Sequence, residues 1–175
     1  MAGARRSIWL VGLSGSGKST VGPLVARRLG YDFVDLDELV ERSEGRTVAE
    51  IFEDDGESAF RDAEARASDS LLGRDRIVVA TGGGWMARDD IARGPDGCVR
   101  VWLRVSPVAA FARLGAGGHG RPLLSGRDGE AALSALLGAR EARYGEAEIA
   151  VQTTGRTPQD VARAVVDAVG GLVDP

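Results

Sequence analysis

The segment from Gly12 to Ser19 carries residue types at a spacing that binds the phosphates of a nucleotide. It reads Gly-Leu-Ser-Gly-Ser-Gly-Lys-Ser and matches the P-loop pattern G-x-x-x-x-G-K-[ST]. In this pattern backbone amides surround the phosphates, the lysine reaches the β- and γ-phosphates, and the final hydroxyl is a ligand for Mg²⁺. The P-loop therefore predicts binding of a nucleoside triphosphate with Mg²⁺, through Gly15, Ser16, Gly17, Lys18, Ser19 and Thr20.

Lys18 is the single lysine among the 22 basic residues, and arginine is used everywhere else. A lysine is a compact point charge, whereas arginine is a planar fork that suits the inside of a wrapped loop poorly. The use of lysine at this one position strengthens the prediction of phosphate binding.

Asp35 and Asp37 lie where the second predicted strand ends, and open α/β sheets place their ligand crevices at that edge. One carboxylate could organise Mg²⁺ through water, and the other could orient and deprotonate an acceptor hydroxyl. Capping of a helix N-terminus by either aspartate is the alternative interpretation. Because no aspartate ends the third predicted strand, we assign the metal-organising part to Asp35.

Three further features could bind a ligand. Arg61 lies on a long predicted helix, where a surface ion pair with nearby acids is the alternative. A triple glycine at positions 82–84 follows a buried strand and permits a ligand to approach the backbone closely. Arg121 lies in the glycine-rich segment 115–129, which resembles a lid, and could reach phosphate oxygens on closure. A solvated arginine is the alternative there.

The order of elements that must position these residues indicates an α/β protein. We predict strands at 7–11, 32–35, 77–80, 99–105 and about 149–152. Helices are predicted at 18–29, 47–52, 57–72 and 107–114, then up to 144, and finally after a cap at Thr157. Short apolar runs that alternate with helices predict a mainly parallel sheet.

Composition narrows the class of protein. The chain has 175 residues, 43% of them hydrophobic and 27% charged, as expected for one soluble domain. The net charge of −4 and the lack of a basic tail disfavour a nucleic-acid partner. No apolar run suits a signal peptide or a membrane span, and Cys98 has no second cysteine to pair with. We therefore expect a cytoplasmic protein.

Along nearly its whole length the chain resembles shikimate kinases. The resemblance rests on Gly12–Ser19, Asp35-x-Asp37, Gly45-Arg46, Ile51-Phe52, Gly56-Glu57, Phe60-Arg61, Glu64, Gly82-Gly83-Gly84, Arg121-Pro122-Leu123-Leu124 and Arg140 with Tyr144. It implies a P-loop NTPase-type three-layer α/β fold, with a five-stranded parallel sheet and helices on both faces. It also implies a single domain over 1–175, a substrate-binding region at about 35–64 and a mobile lid at about 114–129.

The activity that the resemblance implies is transfer of the γ-phosphate of ATP to the 3-hydroxyl of shikimate. The products would be shikimate 3-phosphate and ADP, in the chorismate pathway to aromatic amino acids. ATP would be the co-substrate and Mg²⁺ the cofactor, and the family expectation is a monomer.

The resemblance also implies roles for single residues on the acceptor side. Asp37 would bind the hydroxyls of shikimate and act as the candidate base, while Arg61 and Arg140 would hold its carboxylate. Guanidinium forks suit a planar carboxylate, which agrees with this assignment. The middle glycine of Gly82, Gly83 and Gly84 would contact the ring.

On the nucleotide side, Arg121 would contact the ATP phosphates from the lid, and Arg156 would border the adenine. Together with Lys18 and Asp37, Arg121 completes the implied catalytic set. The segment before Arg121 is about one residue longer than the family pattern and holds the only histidine, His119, which we expect in a solvent-exposed lid. Trp85, directly after the triple glycine, is a candidate to flank the substrate.

Other activities stay open at this point. A related kinase for another hydroxy acid, such as gluconate, is the main alternative because paired arginines would bind any carboxylate. A GTPase-like switch would use an N-K-x-D motif, which needs a second lysine that the chain lacks. A nucleotide-binding protein without catalysis is disfavoured because Lys18, Ser19 and Asp37 are all present.

Overall fold

Five strands form one sheet at the centre of the computed structural model, which describes residues 7–88, 94–115 and 129–173. They are β1 (Ser7–Val11), β2 (Asp32–Asp35), β3 (Ile77–Ala80), β4 (Cys98–Arg104) and β5 (Ile149–Gln152). Their order is β2-β3-β1-β4-β5, and every neighbouring pair is parallel. The predicted sheet is confirmed, and only β4 departs from its predicted bounds, by one residue.

The position of β1 determines where a ligand can bind. It pairs with β3 on one side and with β4 on the other. After β1 the chain forms β2 and β3 on one side of this strand, and then it crosses over to form β4 and β5 on the other side. In open α/β sheets such a switch point opens a crevice at the carboxyl ends of the strands. The P-loop follows β1 and the triple glycine follows β3, so both segments leave the sheet at this edge.

Helices cover both faces of the sheet, which explains why all of β1 is buried. Ile8 and Leu10 face one apolar cluster, built with α1 (Lys18–Leu29) and α6 (Pro158–Val169). Trp9 and Val11 face the other, built with α2 (Leu36–Glu44) and α3 (Val48–Asp69). Parallel sheets need such cover on both sides, and the result is the predicted three-layer fold.

Local sequence signals explain most helix boundaries. Thr47 and Glu50 form the predicted capping box of α3, and Thr157 caps α6 ahead of a proline. The two helices predicted at 47–52 and 57–72 form one element that ends at Asp69 and is interrupted at Gly56, whose φ is 83°. The remaining helices are α4 (Pro107–Leu114), as predicted, α5 (Gly129–Tyr144) and a 3₁₀ turn at Trp85–Ala87.

Helix α2 is absent from the predicted elements, and only the capping alternative for Asp35 or Asp37 pointed to it. The side chain of Asp35 accepts hydrogen bonds from the amides of Asp37 and Glu38, and so caps this helix. Within the described ranges, the helices are all too short or too polar to cross a membrane.

Candidate active site

The P-loop wraps around the start of α1 and lines a cavity of about 460 Å³. Gly15 and Gly17 have φ values of 80° and 99°, in the left-handed region that favours glycine. A Cβ at Gly15 would lie 2.6 Å from the carbonyl oxygen of Ala110, so the loop can seat against α4 only with glycine at this position. The N-terminus of a helix attracts anions, so the loop offers a site for phosphate.

Lys18 lies inside this loop with only 7% of its surface exposed. Its Nζ donates hydrogen bonds to the carbonyl oxygens of Gly12, at 2.7 Å, and Leu13, at 3.0 Å. The six residues of the P-loop segment that are predicted to contact the nucleotide all line the cavity: Gly15, Ser16, Gly17, Lys18, Ser19 and Thr20. The positive charge of Lys18 and the backbone of the P-loop thus line the same cavity.

Ser19, which lines the cavity, contacts Asp35. The Ser19 hydroxyl donates a 2.5 Å hydrogen bond to Asp35 Oδ2, while Asp35 Oδ1 accepts from the Asp37 amide at 3.0 Å. One carboxylate oxygen therefore caps α2 and the other faces the P-loop. Mg²⁺ prefers such oxygen ligands and keeps several waters, so the hydroxyl and carboxylate present here fit that ion.

Asp37 reaches from the first turn of α2 into the same cavity. Its Oδ1 lies close to the first residue of the triple glycine, because a Cβ at Gly82 would be only 3.3 Å from that oxygen. A half-buried carboxylate at this place can accept a hydrogen bond from a hydroxyl held beside the P-loop.

Arg61 lies against the last residue of the triple glycine. A Cβ at Gly84 would be 2.7 Å from Arg61 Cζ, so the guanidinium rests on the bare backbone. Arg61 Nη1 pairs with Glu64 Oε2 at 2.8 Å, and Nη2 pairs with Glu57 Oε1 at 3.2 Å. The alternative interpretation of Arg61, a surface ion pair, is correct for its pair with Glu57, which is exposed. It is wrong for its pair with Glu64, which is completely buried.

Glu64 is a functional candidate to which sequence reasoning gave no role. Burial raises the pKa of its carboxyl, the charge of Asp37 adds to the rise, and Arg61 and Arg88 oppose it. A Cβ at Gly82 would clash with Glu64 Oε1, so this carboxylate also lies against the triple glycine. Glu64 lies three residues after Arg61, a spacing that is typical of an ion pair on a helix surface. Only the tertiary fold buries Glu64.

Arg140 lies against the middle residue of the triple glycine. Its Nη1 donates to the Gly83 carbonyl oxygen at 3.1 Å, and the Tyr144 hydroxyl donates to the same oxygen at 2.5 Å. The three side chains that are predicted to bind the phosphate acceptor therefore each lie beside one glycine: Asp37 at Gly82, Arg140 at Gly83 and Arg61 at Gly84. Together with Glu64, two carboxylates and two guanidinium groups converge on one short backbone segment.

Arg113, Arg156 and Pro158 also line the cavity. Arg156 donates to the carbonyl oxygens of Gln152 and Asp160, both at 3.2 Å. Sequence reasoning missed Arg113, whose Nη2 donates to the Thr153 carbonyl oxygen at 2.6 Å. Its position as the sole basic residue of α4, just before the glycine-rich segment, was the available signal.

Three predicted residues remain: Arg121, His119 and Trp85. Arg121 and His119, with most of the segment 114–129, lie outside the described residues. The expectation that Trp85 flanks the substrate is wrong, because its side chain is 1% exposed. Its ring stacks on Trp9 with centroids 5.0 Å apart, and its Nε1 donates to Ser68 Oγ at 2.9 Å. Trp85 is therefore a core residue.

Comparison with known proteins decides which family uses this arrangement. The model of the shikimate kinase family matches residues 14–170. The chain belongs to the shikimate kinase family. The shikimate kinase of Synechococcus sp. (strain CC9605) is 40% identical over 171 residues, which cover 97% of this chain and 86% of that protein.

Solved structures of shikimate kinases agree. The Acinetobacter baumannii shikimate kinase in complex with shikimate has a TM-score of 0.89 and 32% identity, covering 95% of this chain and 93% of that one. A gluconokinase from Sinorhizobium meliloti is less similar, with a TM-score of 0.65 and 26% identity, covering 97% and 94%. The predicted family, fold and enzyme class are confirmed, and the gluconate alternative is the less supported activity.

Proposed function

We propose that this shikimate kinase transfers the γ-phosphate of ATP to the 3-hydroxyl of shikimate. The observation that carries the proposal is the triple glycine, where Asp37, Arg140 and Arg61 converge beside the P-loop. Shikimate offers hydroxyls to a carboxylate and a carboxylate to guanidinium groups, so its two ends match the two kinds of charge.

In the nucleotide half, Lys18 would exchange its bonds to Gly12 and Leu13 for bonds to phosphate oxygens. Ser19 would hold Mg²⁺ directly and Asp35 would hold it through water. When bound, the ion supplies positive charge that neutralises the β- and γ-phosphates. The adenine would lie in the part of the cavity that Arg156 lines.

In the acceptor half, Arg61 and Arg140 would fix the carboxylate, and Asp37 would orient the reacting hydroxyl. The hydroxyl proton passes to Asp37 as its oxygen forms a bond to the γ-phosphorus. The bond from that phosphorus to the β–γ bridging oxygen breaks, and ADP leaves. Such in-line transfer depends on positioning and charge more than on covalent participation of the protein.

Three finer points complete the proposal. Arg121 would add a charge to the phosphates from the lid at about 114–129, an assignment that rests on the family motif alone. The whole of 1–175 would act as one domain, with the region 35–64 binding the acceptor. A monomer in the cytoplasm is the expected form, in keeping with a single cysteine.

The test is acceptor-dependent release of ADP, with Mg²⁺-ATP and shikimate, gluconate or no acceptor. We expect fast release with shikimate alone, and phosphorus NMR should identify a phosphomonoester on the 3-hydroxyl. Release with gluconate and not with shikimate would reassign the substrate. No acceptor-dependent release, in protein that binds ATP, would refute the proposed activity.

A further inference from the structure

Tyr144 makes a contact in the acceptor region that the mechanism above does not use. Its hydroxyl donates a 2.5 Å hydrogen bond to the carbonyl oxygen of Gly83, which also accepts from Arg140 at 3.1 Å. The side chain is 1% exposed, and burial raises the pKa of its phenol. The hydroxyl therefore keeps its proton and acts as a donor across the physiological range of pH.

Gly83 also touches the nucleotide half of the site. A Cβ at this glycine would lie 3.1 Å from Ser14 Oγ and 3.3 Å from the Ser14 amide nitrogen. The glycine thus lies directly against the P-loop while α5 holds its carbonyl oxygen. Any shift of Gly83 would change the distance between the acceptor-binding segment and the phosphate-binding loop.

The tyrosine ring is itself held by the central sheet. It lies against Trp102, with centroids 5.8 Å apart, and Trp102 pairs in register with Val11, the last residue of β1. Gly12, the first residue of the P-loop, follows immediately. The hydroxyl is therefore anchored to the same part of the sheet that fixes the start of the P-loop.

We infer that Tyr144 is a positioning residue, which holds Gly83 at a fixed place against Ser14 and so sets the distance between the acceptor hydroxyl and the γ-phosphate. The inference rests on the proposed function, because it assigns the triple glycine to the acceptor. Phosphoryl transfer needs the reacting atoms about 3–3.5 Å apart, and a displacement of ~1 Å can cost on the order of 100-fold in rate.

The test is Tyr144→Phe, which keeps the ring against Trp102 and removes only the hydroxyl. We expect kcat to fall by about tenfold or more, while KM for ATP stays near the wild-type value. We also expect the ratio of ADP released to phosphorylated shikimate to rise above one, because water competes with a misplaced acceptor. A purely structural hydroxyl would leave that ratio at one.

The control is Tyr31→Phe, since Tyr31 is the only other tyrosine and lies in the core cluster on the opposite face of the sheet. We expect this variant to keep the wild-type ratio and kcat. Wild-type kcat and a ratio of one in folded Tyr144→Phe would overturn the inference. Wild-type protein without shikimate-dependent release would instead overturn the proposed function on which it rests.

A second variant keeps the inference testable if Tyr144→Phe does not fold. In Gly83→Ala the new methyl group would press on Ser14, at 3.1 Å from its Oγ, and force the two segments apart by a few tenths of an ångström. We expect the same rise in the ratio of ADP to product. An unchanged ratio in this variant would overturn the role of the Gly83–Ser14 distance.

Discussion

Gly84→Ala should weaken shikimate binding and leave the fold intact. The new methyl group would occupy the place where the Arg61 guanidinium rests, 2.7 Å from Cζ. Carbon atoms in contact lie about 3.5 Å apart, so the guanidinium must move by roughly 0.8 Å. Gly84 itself has φ −98°, a conformation open to alanine, so the backbone is not strained by the change.

The displacement of Arg61 should lower the affinity for the acceptor, shikimate. A hydrogen bond to a charged group contributes about 1.5–3 kcal/mol, and each ~1.4 kcal/mol is tenfold in affinity. Loss of the Arg61 contact therefore predicts a rise in KM for shikimate of roughly 10- to 140-fold. KM for ATP should stay within about twofold, because Arg61 does not line the cavity of the P-loop.

The assay is steady-state kinetics with each substrate varied in turn, together with thermal unfolding. Gly138→Ala is the matched control, because apart from its chain neighbours and the backbone of its own helix nothing lies within 4 Å of the position of its Cβ. That change lies within α5 and should raise stability by about 0.5–1 kcal/mol without altering either KM. An unchanged KM for shikimate in Gly84→Ala would refute the placement of Arg61 as a substrate contact.

Two further predictions concern the carboxylates. Asp37→Asn should largely abolish turnover while ATP binding survives, because an amide cannot take the hydroxyl proton; near-normal turnover, beside titrated ATP binding, would remove Asp37 as the base. Burial raises the pKa of Glu64, so its contribution to stability is full at low pH and declines as pH rises through the folded-state pKa. In urea unfolding, the free energy of unfolding of the wild type should therefore fall relative to that of Glu64→Gln as the pH rises. A difference between the two proteins that does not depend on pH would contradict this.

The strands and most helix boundaries could be predicted because short stretches of sequence determine them. Thr47 with Glu50, and Thr157 with the proline that follows, identify their helices from a few neighbouring residues. Helix α2 was missed because the aspartate that caps it, Asp35, also faces Ser19, and an acidic pair at a strand end suggested a binding site first.

Long-range contacts account for what could not be predicted. Arg113 bonds to Thr153, 40 residues away, and no local pattern marks such a pair. Glu64 has the spacing of a surface ion pair, and its burial depends on where the triple glycine passes. Trp85 turns inward because a short 3₁₀ turn directs it onto Trp9, and that direction is set by packing.

Lys18 supplies the chain's only side-chain amine, because its remaining side-chain cations are guanidinium groups or imidazole. That amine is buried in the phosphate-binding loop. An amine-directed acylating reagent therefore has a single side-chain target in this enzyme, and that target lies in the proposed nucleotide site. Protection of Lys18 from labelling, read from the mass of the peptide that contains it, becomes a direct measure of how many molecules hold ATP.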